Sequence, residues 1–460
     1  MTGNQNSKLV GKLILQATIT NTSPLLIASG KNDGCDFEII RDSSGQPLIP
    51  GAGFAGMLSN SFKEIITDIK IRKHIKYFWG TDDDTELDTS QSHIIIDDLK
   101  IIDGYRIVER DGVAINHQTN LGKDGSKFDY ELIEPGAKFH LNAEITLRNG
   151  FDKNTFLEFL LFMTQKGKDK QYQQGAFKSS GFGTLEWLDI RIYEFDFPKD
   201  GEEWFGYLQS HDPEKLINVV KNKKCSLVLK EKDILIIDGI FSLKSSLIIR
   251  SDGDQTNTNI KAPDKTHLKN TLGDALLTSK SLKGAIRHRA HKILKTIGYP
   301  KSDELIGELF GYVDEMEKSE KPSRVKTHET LINGADTEQI QPRIKIDRYT
   351  NSAIEHALMQ SQPVWHKNES FTLKFEIKEC KDFEAGLMLL VMKDLMKEDL
   401  PIGGEKAIGR GILTGSNLSV KGKVSNIDVD LNFNNAGITD NSKIGVVNNW
   451  VSELSNFNAL

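Results

Sequence analysis

DFEIIRDSSGQPLIPGAGFAG, residues 36–56, and DKTHLKNTLGDALLTSKSLKG, residues 264–284, are two copies of one block. Asp36 matches Asp264, Gly45 matches Gly273, Leu48 matches Leu276 and Gly56 matches Gly284, all at an offset of 228. Far downstream, GAFKSSGFGTL (175–185) matches GGEKAIGRGIL (403–413) at the same offset, pairing Lys178 with Lys406, Gly181 with Gly409 and Gly183 with Gly411. Chance does not hold one offset across motifs this far apart. The chain is therefore read as a tandem duplication of a domain of roughly 200 residues. The division expected is 1–200 for the first domain, 201–230 for a polar linker, 231–425 for the second domain and 426–460 for a tail.

Periodicity sets the elements within each copy. Residues 12–20 alternate, with Leu13, Leu15, Ala17 and Ile19 on one face, as a half-buried strand does. A helix is expected over 54–69, a strand over 93–102, a cleanly alternating strand over 139–147, a helix over 154–165 and a last strand over 185–193. The second copy repeats this, with its first strand expected over 240–249, helices over 282–294 and 384–396, an alternating strand over 371–377 and a last strand from Ile412. The order β-α-β-β-α-β is that of a ferredoxin-like, α+β domain. Between the second and third strands each copy carries a long insertion, 112–136 and 343–365, too long for a plain hairpin turn. Ile115, His117 and Thr119 align there with Ile346, Arg348 and Thr350, as expected for an arm that reaches a partner.

Composition excludes several classes. The 460 residues are 27% charged and 38% hydrophobic, ordinary for a globular protein. No apolar run is long enough to span a bilayer, and residues 1–13 lack the apolar core of a signal peptide, so no membrane partner and a cytoplasmic location are expected. Cys35, Cys225 and Cys380 are widely spaced, so neither a disulfide framework nor a zinc site is expected. The net charge of −6 conceals segregation. Residues 265–295 hold eight Lys or Arg against one acid, and 69–79 hold four against none.

These features point to phosphate. The paired glycines at 181 and 183 and at 409 and 411 suggest a backbone nest, with charge from Lys178, Lys406 and Arg410. The turn through Gly51 and Gly53 enters a helix N-terminus, and its twin adds Lys280, Lys283 and Arg287. An acid beside such a surface, Asp36 or Asp264, is awkward unless a divalent cation lies between them, with Asp33 and Asp254 as neighbouring alternatives. His93, His117, His288 and His291 could serve histidine chemistry, but none recurs in both copies. No GGDD-type turn of the kind a nucleotide cyclase or polymerase palm carries is found, and Asp82-Asp83-Asp84, after Trp79-Gly80, is read as a solvent-facing loop.

The joint pattern resembles the RAMP superfamily. It comprises an Asp loop, the turn LIPGAGFAG, an arm-like insertion and a C-terminal glycine loop, with SKSLKGAIR (279–287) and GGEKAIGRG (403–411) as the nearest matches. More narrowly, it resembles the backbone subunit of type III CRISPR effector complexes, here as two fused copies. That resemblance implies two tandem ferredoxin-like (RRM-like) domains with thumb-like β-hairpin insertions. It implies guide RNA (crRNA), complementary target RNA and other CRISPR effector subunits as partners. It also implies that Asp36 and Asp264 cut target RNA with Mg2+ or Mn2+. A subunit that only holds guide RNA is the alternative. A guide-processing endonuclease using histidine is a third reading.

Overall fold

The structure, a computed structural model, describes residues 8–30, 35–66, 68–80, 91–116, 122–210, 225–230, 232–251, 263–314, 319–336, 338–365, 369–435 and 437–456. The chain forms two compact units. The first comprises residues 1–109, 130–176 and 182–231, and the second 110–129, 177–181 and 232–460. The sequence places a single boundary near 201–230, whereas two first-repeat segments, 110–129 and 177–181, are built into the second unit.

In the first unit β1 (Leu9–Asn21) is followed by α1 (Gly51–Ser61), α2 (Ile69–Trp79), β2 (Ile94–Ile96) and β3 (Leu99–Asp103). The arm of this repeat, β4 (Ile107–Ile115) and β5 (Gly122–Ile133), leaves and rejoins this unit, its residues 110–129 belonging to the second, and β6 (Lys138–Arg148), α3 (Lys153–Lys168), β7 (Thr184–Asp196) and α4 (Gly201–Ser210) follow. β1 lies between β6 and β7, antiparallel to both, and β2 and β3 pair the far edge of β6. This is the ferredoxin-like order, second-third-first-fourth. The predicted alternation holds: Leu13, Leu15, Ala17 and Ile19 of β1 and Phe139, Leu141, Ala143 and Ile145 of β6 are all buried. Their helix-side core is aromatic. Phe62 stacks on Phe78 and meets Phe159 and Phe162 edge-on, with centroids 5.1 to 6.0 Å apart.

Two expectations fail here. The helix expected over 54–69 stops at Ser61, passes through a 3-10 turn, and is extended by Ile65. The basic stretch after it is a separate helix, α2, started by Asp68, whose carboxylate accepts the Ile71 N–H at 2.8 Å. The expected linker is helical at its start, because Trp204 and Tyr207 of α4 cover Ile14, Tyr193 and Phe195 on the outer sheet face.

In the second unit β8 (Ile234–Leu243) takes the central place. After it come α5 (Ser279–Thr296), α6 (Ser302–Phe310), β9 (Val325–Thr327), an arm of β10 (Gln341–Ile346) and β11 (Ala353–Gln362), and β12 (Phe371–Lys378). The unit ends with α7 (Asp382–Met396), β13 (Leu413–Val424), β14 (Ile427–Asn434) and α8 (Ile444–Asn456). The order β9-β12-β8-β13 repeats that of the first unit, with β14 added outside β13. The first strand thus lies earlier than the expected 240–249. Asn21 faces Leu185 and Leu243 faces Leu413, so the first strand recurs at 222 residues and the last at 228. The difference is taken up ahead of Asp264.

The 426–460 tail is part of this core through residue 456. Trp450 and Leu454 of α8 are buried in the same cluster as Leu387 and Val391 of α7. Gly386 makes the approach possible, since a Cβ there would run into the Trp450 carbonyl oxygen. Gly386→Val should therefore lower stability by about 1–3 kcal/mol, read as an earlier thermal transition. A transition no earlier than wild type would show that α8 does not pack on this glycine.

Candidate functional site

The two aspartates occupy matched places. In the first repeat Phe37, next to Asp36, bridges Tyr130 of β5 in parallel, and the Glu131 N–H donates to the Phe37 carbonyl at 2.9 Å. In the second, Lys265, next to Asp264, pairs Ser361 of β11 in parallel, and the Gln360 N–H donates to Asp264 Oδ2 at 2.8 Å. Each carboxylate therefore stands at the base of its repeat's arm, on the returning strand. Asp264 is exposed and Asp36 half-buried. Among the described residues neither belongs to a cluster of three His, Cys, Asp or Glu ligands close enough to hold an ion. Asp33, Asp254 and the Asp82-Asp83-Asp84 run lie outside the described residues.

The glycine loops are duplicated down to backbone angles. Gly175, Phe177, Gly181 and Gly183 have φ of 84°, 54°, 75° and 76°, and Gly403, Glu405, Gly409 and Gly411 have 83°, 55°, 83° and 80°. The expected nest, however, is not open. The Gly183 and Gly411 N–H groups each donate at 2.7 Å to a carbonyl, of Pro24 and Ser246 respectively. Those of Gly181 and Gly409 donate at 3.0 Å to Lys178 and Lys406. The glycines serve left-handed turns and close approach: a Cβ on Gly183 or Gly411 would overlap the carbonyl of Gln174 or Ile402. Gly51 is corrected likewise. It is buried, its N–H donates to Asp98 Oδ1 at 2.8 Å, and a Cβ would strike the Ile96 carbonyl. Gly53 is exposed.

Arg410 is no phosphate ligand either. Its side chain is 2% exposed. Its Nε is 2.9 Å from Glu405 Oε2, and it donates to Ser246 Oγ at 3.1 Å, Gln341 Oε1 at 2.7 Å and Ser361 Oγ at 3.0 Å. Glu405 also takes Arg343 at 2.6 Å and Lys265 at 3.3 Å. Burial pushes the Glu405 carboxyl up, but the Arg343 hydrogen bond and charge, then Lys265 and Arg410, hold it below its usual range.

Lys280 is enclosed within the second unit. Its ammonium lies 3.5 Å from the centre of the Phe177 ring and 4.9 Å from that of Phe128. Nearby, Arg110 makes a bidentate pair with Glu329 at 2.6 and 3.2 Å. Burial, and then the Arg110 charge, lower the Lys280 pKa to about 7.

The remaining cations reach solvent. Half-buried Lys283 and exposed Arg287 are one turn apart on α5, where burial and then the Arg287 charge lower the Lys283 pKa to about 8. Lys178 and Lys406 are exposed and also lowered, by partial burial, with Lys378 adding repulsion at Lys178. Lys406 lines a cleft with His288, Arg289 and Lys292 of α5 and Asp399, Leu400 and Pro401. Arg289 and Lys292 belong to the basic stretch 265–295 expected to meet phosphate, and His288 is one of the histidines named with it. Crowded ammonium groups with depressed pKa values suit an anion, which would favour their charged forms.

At the second arm Ile344 and Ile346 are each 56% exposed, and Tyr349 at the tip is 97% exposed. Asp347 Oδ1 fixes that tip by accepting the Tyr349 and Thr350 N–H groups, both at 2.9 Å. The Thr350 hydroxyl is engaged with Asp347 and Ser352, while Arg348 is exposed. Tyr349 belongs to the stretch 346–350 that aligns with 115–119 in the sequence. On the first arm Ile115 is 53% exposed, and His117 and Thr119 lie outside the described residues. Of the other histidines, His93 is buried against the Thr146 carbonyl at 2.7 Å, its pKa lowered by burial, and His291 lies 2.9 Å from Asp303.

The RAMP superfamily model matches residues 18–186 and 240–414. The chain belongs to the RAMP superfamily, present here as two domains, a family associated with CRISPR effector complexes and RNA binding. No curated protein matches the chain. Among the described residues no helix is long and apolar enough to cross a membrane.

The two kinds of lysine separate by experiment. Lys280→Met should leave RNA retention unchanged and stabilise the fold. Because its folded pKa is depressed, the unfolded chain binds more protons between pH 7 and 10.5, so stability rises with pH across that window. The advantage of the Met variant should be largest at pH 7 and shrink as pH rises. Lys283→Glu with Arg287→Glu should weaken RNA retention roughly tenfold or more, with a shallower salt dependence. Equal RNA loss in both variants would overturn this division.

Proposed function

We propose that this RAMP protein is a backbone subunit of a type III CRISPR effector complex that binds guide RNA and cleaves complementary target RNA with a divalent metal. The carrying observation is the matched stand of Asp36 and Asp264 at the bases of the two arms. Lys283, Arg287, Lys178 and Lys406 supply the surface cations for the guide backbone. The arms, with Ile346, Arg348 and the exposed Tyr349, project apolar and aromatic groups that can part stacked bases. Target RNA and the other subunits of the complex are its further partners.

A single exposed carboxylate suits Mg2+ or Mn2+, which keeps several waters and draws other ligands from substrate phosphate. Such an ion, when bound, supplies positive charge at the scissile phosphate. Asp264 would hold it through a carboxylate already oriented by the Gln360 N–H. Asp36 would do the same in the first repeat. The RNA brings its own nucleophile, the adjacent 2′-hydroxyl, so the protein's part is placement.

One observation favours a scaffold that holds guide RNA without cutting: neither aspartate has a second and third protein ligand beside it among the described residues. The aspartate variants decide. Asp36→Ala and Asp264→Ala should assemble normally and each remove one product from a magnesium-dependent cleavage ladder. The double variant should remove both. A wild-type ladder from the double variant would transfer the conclusion to the scaffold.

A further inference from the structure

We propose that Glu405 and Arg410 are positioning residues that set the place of Asp264 through the base of the second arm. The inference rests on the cleavage reading for its consequence, but its geometry stands alone. Arg410 donates to Gln341 and Ser361, which face each other across the two strands of the arm. Ser361 is also the parallel partner of Lys265, and the next residue back, Gln360, donates its N–H to Asp264. Glu405 closes the circuit by joining Arg410, Arg343 on β10 and Lys265 beside the aspartate. Three elements distant in sequence thus meet on one carboxylate: the Asp264 strand, the arm and the glycine loop.

The first repeat lacks this device. Phe177 stands where Glu405 does, with φ of 54° against 55°, and Phe182, 1% exposed, stands where Arg410 does. The first arm base is instead tied by Arg41, which pairs bidentately with Glu131 at 3.0 Å through both nitrogens. Losing Glu405 should therefore affect one repeat only.

Glu405→Gln keeps the shape and leaves Lys265, Arg343 and Arg410 facing a neutral group. Hydrogen exchange at the Gln360 amide should quicken on the order of 10-fold or more, while the Glu131 amide, which donates to the Phe37 carbonyl at the first arm base, keeps its rate. In the assembled complex the product assigned to Asp264 should form on the order of 10- to 100-fold more slowly, with the Asp36 product unchanged. Arg410→Lys, which keeps the charge and loses the fork, should fall between wild type and Glu405→Gln in both readouts. Arg343→Gln, which removes one outer partner, guards against a Glu405 variant that fails to fold and should also be intermediate. An unchanged Gln360 exchange rate in folded Glu405→Gln or Arg343→Gln would overturn the proposal, as would equal loss of both products. If wild type yields no products, exchange alone still decides the positioning role, and the cleavage reading fails separately.

Discussion

A largely buried carboxylate surrounded by three cations is the constraint on which the second repeat's functional end depends. Glu405 sits in a left-handed turn that side chains other than glycine rarely adopt, and it contacts Arg343, Arg410 and Lys265. Such clusters are weak sources of net stability, because desolvating the charges offsets much of their attraction. Their effect is on uniqueness. A charge left without its partner in that place costs several kcal/mol, so the arm base, the aspartate strand and the glycine loop are held to one arrangement. In the first repeat the same backbone positions carry Phe177, whose ring meets the Lys280 ammonium, and the buried Phe182, so no carboxylate gathers cations there. Glycines at the same turn positions encode the loop's path in both repeats, and the residues between them choose the chemistry.

That division explains what the sequence could reveal of the fold. The alternation of β1 and β6 and the two glycine motifs were legible because each expresses a local rule: period two for a half-buried strand, positive φ for glycine. The first strand of the second unit was misplaced because a second apolar run, Leu247–Ile249, follows closely after the strand's end at Leu243, and periodicity does not say where pairing stops. The constant offset of the two motifs also concealed an uneven spacing, visible only in the pairing of Asn21 with Leu185 and Leu243 with Leu413. The tail was illegible for another reason. Trp450 and Leu454 are separated by polar residues, and only the docking groove over Gly386 shows where they go.

At the candidate site the sequence showed matched positions but not which groups are already engaged. Aspartate at a matched offset pointed correctly to a matched position, since the short parallel bridge that places it recurs with the block. The glycines were read as phosphate donors because composition cannot show that an N–H is already committed. Lys280 and Arg410 looked like their neighbours in sequence, yet aromatic rings enclose one and a carboxylate and three polar side chains hold the other. Charge counts along a helix register how many cations there are. They do not register which side of the helix faces Phe177 and which faces water.

For RNA, one duplicated frame offers an unequal pair of grips. α5 brings Lys283 and Arg287 to the surface and shares the Lys406 cleft through Arg289 and Lys292, whereas α1 runs from Gly51 to Ser61 without a cation. Phosphate attraction acts through the number of charges placed along the backbone, and in the first repeat the cations lie instead on α2, at Lys70, Arg72, Lys73 and Lys76. The first repeat has an arm, an aspartate at the base of that arm, and a tightly packed aromatic core. Each arm base is tied by its own chemistry. Arg41 with Glu131 in the first and Glu405 with Arg410 in the second are those two fixings, and their difference lets either repeat change its grip without moving its aspartate.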